Sequence, residues 1–233
     1  MKTQMGYCAL ILALGAILPA GYANAGMFDS VTNAVSSATG GGSAPTAESA
    51  DQLNGELLGL NGRLAGALGE MLQAQSLTSE ALGDKTASGQ LEAEAKTITG
   101  TTDLNKITRA LELSTAAAKA NQDKMGAAGE LSAKAKKALG RAVVHYGKGT
   151  LLSASIPAEY TAWGTRAQQA VGVMQGNPMQ MASAPALLGQ IKDVGAMTTK
   201  LPSLGSAWIS STRGFVDFAR SNKVSTGDLS SKI

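Results

Sequence analysis

Apolar residues recur along positions 53–74 at alternating intervals of four and three: Leu53, Leu57, Leu60, Leu64, Ala67, Met71 and Ala74, with Leu58, Leu68 and Leu72 beside them. This is the spacing of a helix that buries one seam against its neighbours. It predicts a helix over about residues 47–83, capped by Thr46 or Ser49. Gly55, Gly59, Gly62, Gly66 and Gly69 repeat the same spacing two residues out of phase. Two residues are about 200° of helical rotation, so a nearly opposite face is bare backbone. Each glycine costs ~1 kcal/mol of helix propensity relative to alanine, so five in register need a compensating gain. Close approach of another helix to that face would supply it. Two readings follow: the helix is central in its own bundle and touched on two sides, or its glycine face pairs with a second copy, a partner or lipid.

The rest of the chain keeps a helical period. Leu91 to Ile98 reads as a short helical or linking piece before Gly100. A third helix starts near Thr102 and Asp103, carries Leu104, Ile107, Leu111, Met125, Ala128 and Leu131 on one face, and runs to Gly140 with a break at Gly126 or Gly129. Residues 141–156 continue it until Pro157 resets the chain. Then come a helix over 158–175, a turn at Gly176, Asn177 and Pro178, a helix over 184–199, and a last one opened by Pro202 that ends near Ser221. Nothing alternates as strands do. The expected fold is all-α, a helical bundle over 47–222 with one long Leu/Gly-seamed N-terminal helix and shorter C-terminal helices, followed by a flexible tail over 223–233.

The N-terminus has a different pattern. Lys2, an apolar run from Tyr7 to Leu18, and Ala23-Asn24-Ala25 have the order of a secretory signal peptide, with cleavage expected after Ala25. The run is short of the ~20 residues that span a bilayer. Residues 26–46 form a leader: Met27, Phe28, Val31 and Val35 at helical spacing, then the Gly/Ser linker from Ser36 to Thr46. The expected location is periplasmic, with an extracellular destination as the alternative.

Composition narrows the chemistry. The single cysteine, Cys8, lies inside the signal, so the mature chain has no disulfide, thiolate nucleophile or cysteine metal ligand. The formal charge of +3 is too small to point to nucleic acid. Its distribution says more: residues 48–103 hold nine acids and three bases, whereas residues 104–233 hold sixteen bases and seven acids. An acidic first helix would lie against basic later ones, or a basic face would stay free for an anionic partner. Apart from Phe28, the mature chain has no aromatic residue before Tyr146, which assigns the large core side chains to the C-terminal part.

No catalytic constellation stands out. His145 is the only histidine, which excludes two-histidine zinc motifs on a helix, and no Gly-x-Ser-x-Gly elbow accompanies it. Gly147-Lys148-Gly149-Thr150 lacks the first glycine of a phosphate loop, and Gly149 stands where Ser or Thr should follow the lysine. Glu92 and Glu94, two residues apart, point to different sides of a helix. The expectation is a protein without catalytic residues, cofactor or metal.

The best-defined constellation is basic. Lys134, Lys137, Arg141, His145 and Lys148 follow a 3-4-4-3 spacing that places them on one helical face, and no acid occurs between Glu130 and Glu159. Such a face is either solvated and paired within the molecule or a surface for an anionic partner. Export and the lack of interleaved aromatics argue against nucleic acid. The leading expectation is therefore a non-enzymatic exported scaffold or accessory protein. It would act by helix–helix contact with itself or an envelope partner, through Gly55, Gly59, Gly62, Gly66 and Gly69. The alternative is a membrane-active helical protein, an anionic-lipid binder or pore former, that uses the Met27–Val35 tip and the basic helix over 131–148 to engage anionic lipid and then exposes the Gly/Leu helix.

Overall fold

The computed structural model describes residues 49–176 and 182–231, and every regular element among them is helical. The expected signal peptide, the expected 26–46 leader and the expected turn residues Asn177 and Pro178 lie outside the described residues. The fold is all-α.

Helix α1, Ala50–Ala81, starts where Ser49 accepts a hydrogen bond from the Gln52 amide at 3.1 Å and satisfies one of the helix's free N–H groups. Its first half is one-sided: Leu53, Leu57, Leu60 and Leu64 are buried while Gly55, Leu58 and Gly59 face out. Its second half is enclosed, with six consecutive residues from Ala74 to Ser79 buried. A helix buried all round is the centre of a bundle.

The other helices pack around this axis. Helix α2, Lys85–Ile98, begins at the Asp84 cap and returns along the second half of α1, with Ser76 Oγ donating to the Ser88 carbonyl at 2.9 Å. Helix α3, Leu104–Ala127, runs back beside α1 from the level of Asn61, whose amide donates to the Thr102 carbonyl at 3.0 Å. Helix α4, Ala133–Ser153, covers the second half of α1, and helix α5, Ile156–Gln175, covers the first. Both run antiparallel to α1: Arg141 pairs with Glu80 and His145 with Glu70, then Glu159 with Arg63 and Arg166 with Glu56. Helix α6, Ala184–Ser221, runs parallel to α1, with Gln190 donating to Asn54 at 2.6 Å.

The core joins Leu, Ala and Met of α1 to large side chains from the later helices. Tyr146, Tyr160, Trp163 and Phe215 are all buried, and the Tyr146 and Phe215 rings pack in a tilted pair, 38° between planes, with centroids 4.5 Å apart. Trp163 satisfies its ring N–H on the Leu53 carbonyl at 2.7 Å, and Tyr160 donates to Asn61 Oδ1 at 2.7 Å. A polar belt crosses the enclosed half: Gln75 donates to the Ser114 carbonyl, Asn121 to the Gln75 carbonyl, and Ser79 to Asn121 Oδ1, at 3.0, 3.0 and 2.8 Å. These bonds offset part of the desolvation cost that such side chains carry, while Gln75 Oε1 and Ser114 Oγ stay buried without a hydrogen-bond partner.

Several sequence expectations are corrected. The third helix does not reach Gly140: it stops at Ala127, and Gly140 lies inside α4. Pro202 does not open a helix, because α6 passes through it as one helix of 38 residues, longer than the 32 of α1. The C-terminal helices are thus not all shorter than the first. The segment after 222, expected as a flexible tail, carries a 3-10 helix, Gly227–Ser231, whose Leu229 is buried.

Candidate functional site

The glycine stripe of α1 divides into two parts. At Gly69 the next helix comes close: a Cβ there would lie 2.7 Å from Thr99 Oγ1 and 3.4 Å from the Ala95 carbonyl oxygen. The absence of a side chain is what seats the end of α2. At Gly55, Gly59, Gly62 and Gly66 a Cβ would meet nothing within 4 Å. These four continue the stripe beyond the last turn of α2, on a stretch where α5 covers the leucine side of α1 and the start of α3 reaches it at Asn61. Leu58, 43% exposed, projects from the same open face. The structure therefore assigns one of the five glycines to close packing within the chain and leaves room for a side chain at the other four, with Gly55 and Gly59 exposed and Gly62 and Gly66 half-buried.

The basic face of α4 divides as well. Arg141 donates to Glu80 at 3.0 Å, and His145 Nδ1 lies 2.7 Å from Glu70 Oε2, so these two tie α4 to α1. Lys134, Lys137 and Lys148 are exposed and have no ion pair among the described residues. Neighbouring Lys136 pairs with Glu130 at 3.2 Å. The charge segregation of the sequence is thus partly used inside the molecule: Glu56, Glu70 and Glu80 of α1 all pair with residues of α4 and α5. Exposed pairs of this kind contribute ~0–1 kcal/mol each and mainly fix orientation.

Two site features escaped the sequence reading. The first is Gly149, weighed there only against a phosphate-loop pattern. A Cβ at Gly149 would lie 2.8 Å from Cγ and Sδ of buried Met71 and 3.3 Å from the Ala67 carbonyl oxygen, so this glycine sets the approach of α4 to α1. The second is apolar: Val144, Leu151 and Leu152 are 55, 58 and 46% exposed. They share the sector of Lys137, Lys148 and Lys134. The signal was present, since positions 148 and 152, and 137 and 144, are four and seven residues apart on one helix face.

Electrostatic perturbation is confined to structural groups. Burial pushes Glu159 up, but the hydrogen bond and charge of Arg63, with a bond from Ser155, outweigh it and hold the carboxyl below its usual value of 4.5. The hydrogen bond from Lys124 likewise holds Asp84 below 3.8, at the cap of α2. Burial pushes the Tyr146 hydroxyl up to about 12, although bonds with Ser211 and Thr78 work the other way. Among the described residues, no group of three His, Cys, Asp or Glu side chains comes together to hold a metal ion, and no helix is long and apolar enough to cross a membrane. Comparison with protein-family models, curated proteins and solved structures finds no match to this chain.

Proposed function

We propose that the protein is an exported, non-enzymatic helical scaffold that works by helix–helix contact, and that the open glycine face of α1 is the contact surface. One observation carries this reading: a Cβ at Gly55, Gly59, Gly62 or Gly66 would meet no neighbouring atom within 4 Å. Their cost in helix stability is ~1 kcal/mol each, and alanine would fit at every one of them. Gly69 supplies the pattern for what the face accepts, because there the same stripe already seats a helix at a distance that a methyl group would block. A second helix laid end to end beyond α2 meets the remaining four glycines in the same register. The expected occupant is α1 of a second copy or a helix of an envelope partner, and the apolar run and small-residue site before Gly26 support an envelope location.

The test places a large side chain on the open face. A Cβ at Gly62 meets nothing within 4 Å, and Gly62→Leu should abolish self-association or partner capture while helicity and unfolding midpoint hold or rise. Sedimentation and crosslinking at several concentrations, with circular dichroism, read both. Association that is unchanged by Gly62→Leu would remove the α1 face from the function. Fractionation with N-terminal sequencing of the envelope form checks export, with Gly26 the expected first residue.

A further inference from the structure

The outer face of α4 is built differently from the face on α1. Lys134, Lys137 and Lys148 extend outward with no acid bonded to them among the described residues. Val144, Leu151 and Leu152 stand between and beyond them. Of the six large apolar side chains exposed by more than two fifths among the described residues, three fall within the nine residues from Val144 to Leu152 of one helix. Single exposed apolar side chains are ordinary, but a cluster marks a surface that is covered in use. Val144 and Leu151 also line an open groove of about 270 Å³ together with Lys148, Leu229 and one acid, Asp228.

We propose that this face docks the protein on an anionic lipid bilayer. Charge complementarity selects the occupant. The face runs about 27 Å from position 134 to 152 at 1.5 Å per residue, with cationic and apolar side chains interleaved along it. A bilayer surface meets both: ammonium groups reach headgroup phosphates on flexible stems, while Val144, Leu151 and Leu152 enter the headgroup–acyl boundary. The cations present also favour a fluid surface over a protein partner of fixed geometry. Arginine, whose planar fork reads a fixed carboxylate pair, appears once in the stripe, and Arg141 is already engaged by Glu80. What remains outward is lysine, a point charge that needs no defined partner geometry.

The experiment measures partition of the purified full chain onto vesicles of phosphatidylcholine alone and with 30 mol% phosphatidylglycerol, at low and high salt. Three proteins are compared: wild type, the triple variant Lys134→Gln/Lys137→Gln/Lys148→Gln, and the triple variant Val144→Ser/Leu151→Ser/Leu152→Ser. The apolar run at residues 7–18 is common to all three, so the differences between them report on α4. All six positions are exposed, and circular dichroism checks that each variant keeps the fold. Each lysine near an anionic surface should contribute about fivefold. The lysine variant should therefore lose about a hundredfold of the preference for anionic vesicles, and 1 M salt should remove it from wild type. The serine variant should keep the charge preference and bind more weakly at every salt concentration. Equal partition of wild type and the lysine variant would overturn the proposal. So would retention of wild type on immobilised polyglutamate without any α4-dependent vesicle binding, which would assign the face to an acidic protein.

Discussion

Replacing Gly55, Gly59, Gly62 and Gly66 with alanine tests whether the molecule itself has any need of them. All four lie inside α1 and a Cβ at each meets open space, so the substitutions relieve backbone entropy without adding a clash. Glycine to alanine at a compatible helical site stabilises by about 0.4–1 kcal/mol. Sites with no shared partner add, to a first approximation. The quadruple variant should thus gain about 2–4 kcal/mol, or ~5–15 °C in midpoint for a chain of this size. Thermal and urea unfolding followed by far-ultraviolet circular dichroism measure it, at protein concentrations low enough that association does not stabilise wild type. The urea slope should not change, because the surface exposed on unfolding is the same. The four methyl groups should at the same time weaken the contact made through this face, so stability and association move in opposite directions. A quadruple variant no more stable than wild type would refute the reasoning, since the glycines would then answer to a need within the monomer.

Gly149→Ala should behave in the opposite way, because its new methyl group presses on fully buried Met71 and on the Ala67 carbonyl. Overpacking of about 1–3 kcal/mol outweighs the propensity gain, whereas Gly147→Ala, 4.0 Å from Leu229 Cδ1, should be neutral or stabilising. Urea midpoints of the pair decide it. Tyr146, pushed up to about 12 by burial, predicts an alkaline limb. The unfolded chain ionises this hydroxyl near pH 10 and the folded chain near 12, so its contribution is complete below pH 10 and is lost as pH rises between them. Tyr146→Phe should flatten that limb by on the order of 1.4 kcal/mol per pH unit, read as unfolding free energy between pH 9 and 11. Tyr160, raised for the same reason, should leave a residual slope.

Most of the fold was legible because a helix that buries one seam advertises it. The start of α1 and its leucine positions follow from the 4-3 spacing, and the Asp103 cap of α3 follows from side-chain chemistry at a helix start. Errors arose where glycine and proline were weighed as breakers without their surroundings. Gly140 lies within α4 because Ala138, Leu139, Ala142 and Tyr146 around it are all buried, and tertiary packing overrides a propensity penalty of ~1 kcal/mol. Pro202 gave a stronger warning and was still overridden. Leu187, Val194, Met197, Leu201, Trp208 and Phe215 are buried in one unbroken register on both sides of it. That continuity was available in the sequence as steps of seven, three, four, seven and seven.

The site was legible in outline and not in allocation, for a reason that bears on its function. Gly59 and Gly149 carry the same residue in the same kind of helix, and no local pattern separates them. Only the neighbour does: for Gly149 it is Met71 of the same chain, and for Gly59 there is none within 4 Å. Likewise Arg141 and Lys137 are equivalent in spacing, yet Glu80 engages one and leaves the other outward. In both stripes the folded chain uses part of a pattern, Gly69 in one and Arg141 with His145 in the other, to hold its own helices. The remainder follows the same spacing without a use inside the monomer. A residue type that carries a cost in the monomer, or exposes apolar surface there, while continuing an interface register is best accounted for by contact with something outside it. The quadruple alanine variant and the α4 lysine variant ask that question of the two faces separately, and neither result depends on the other.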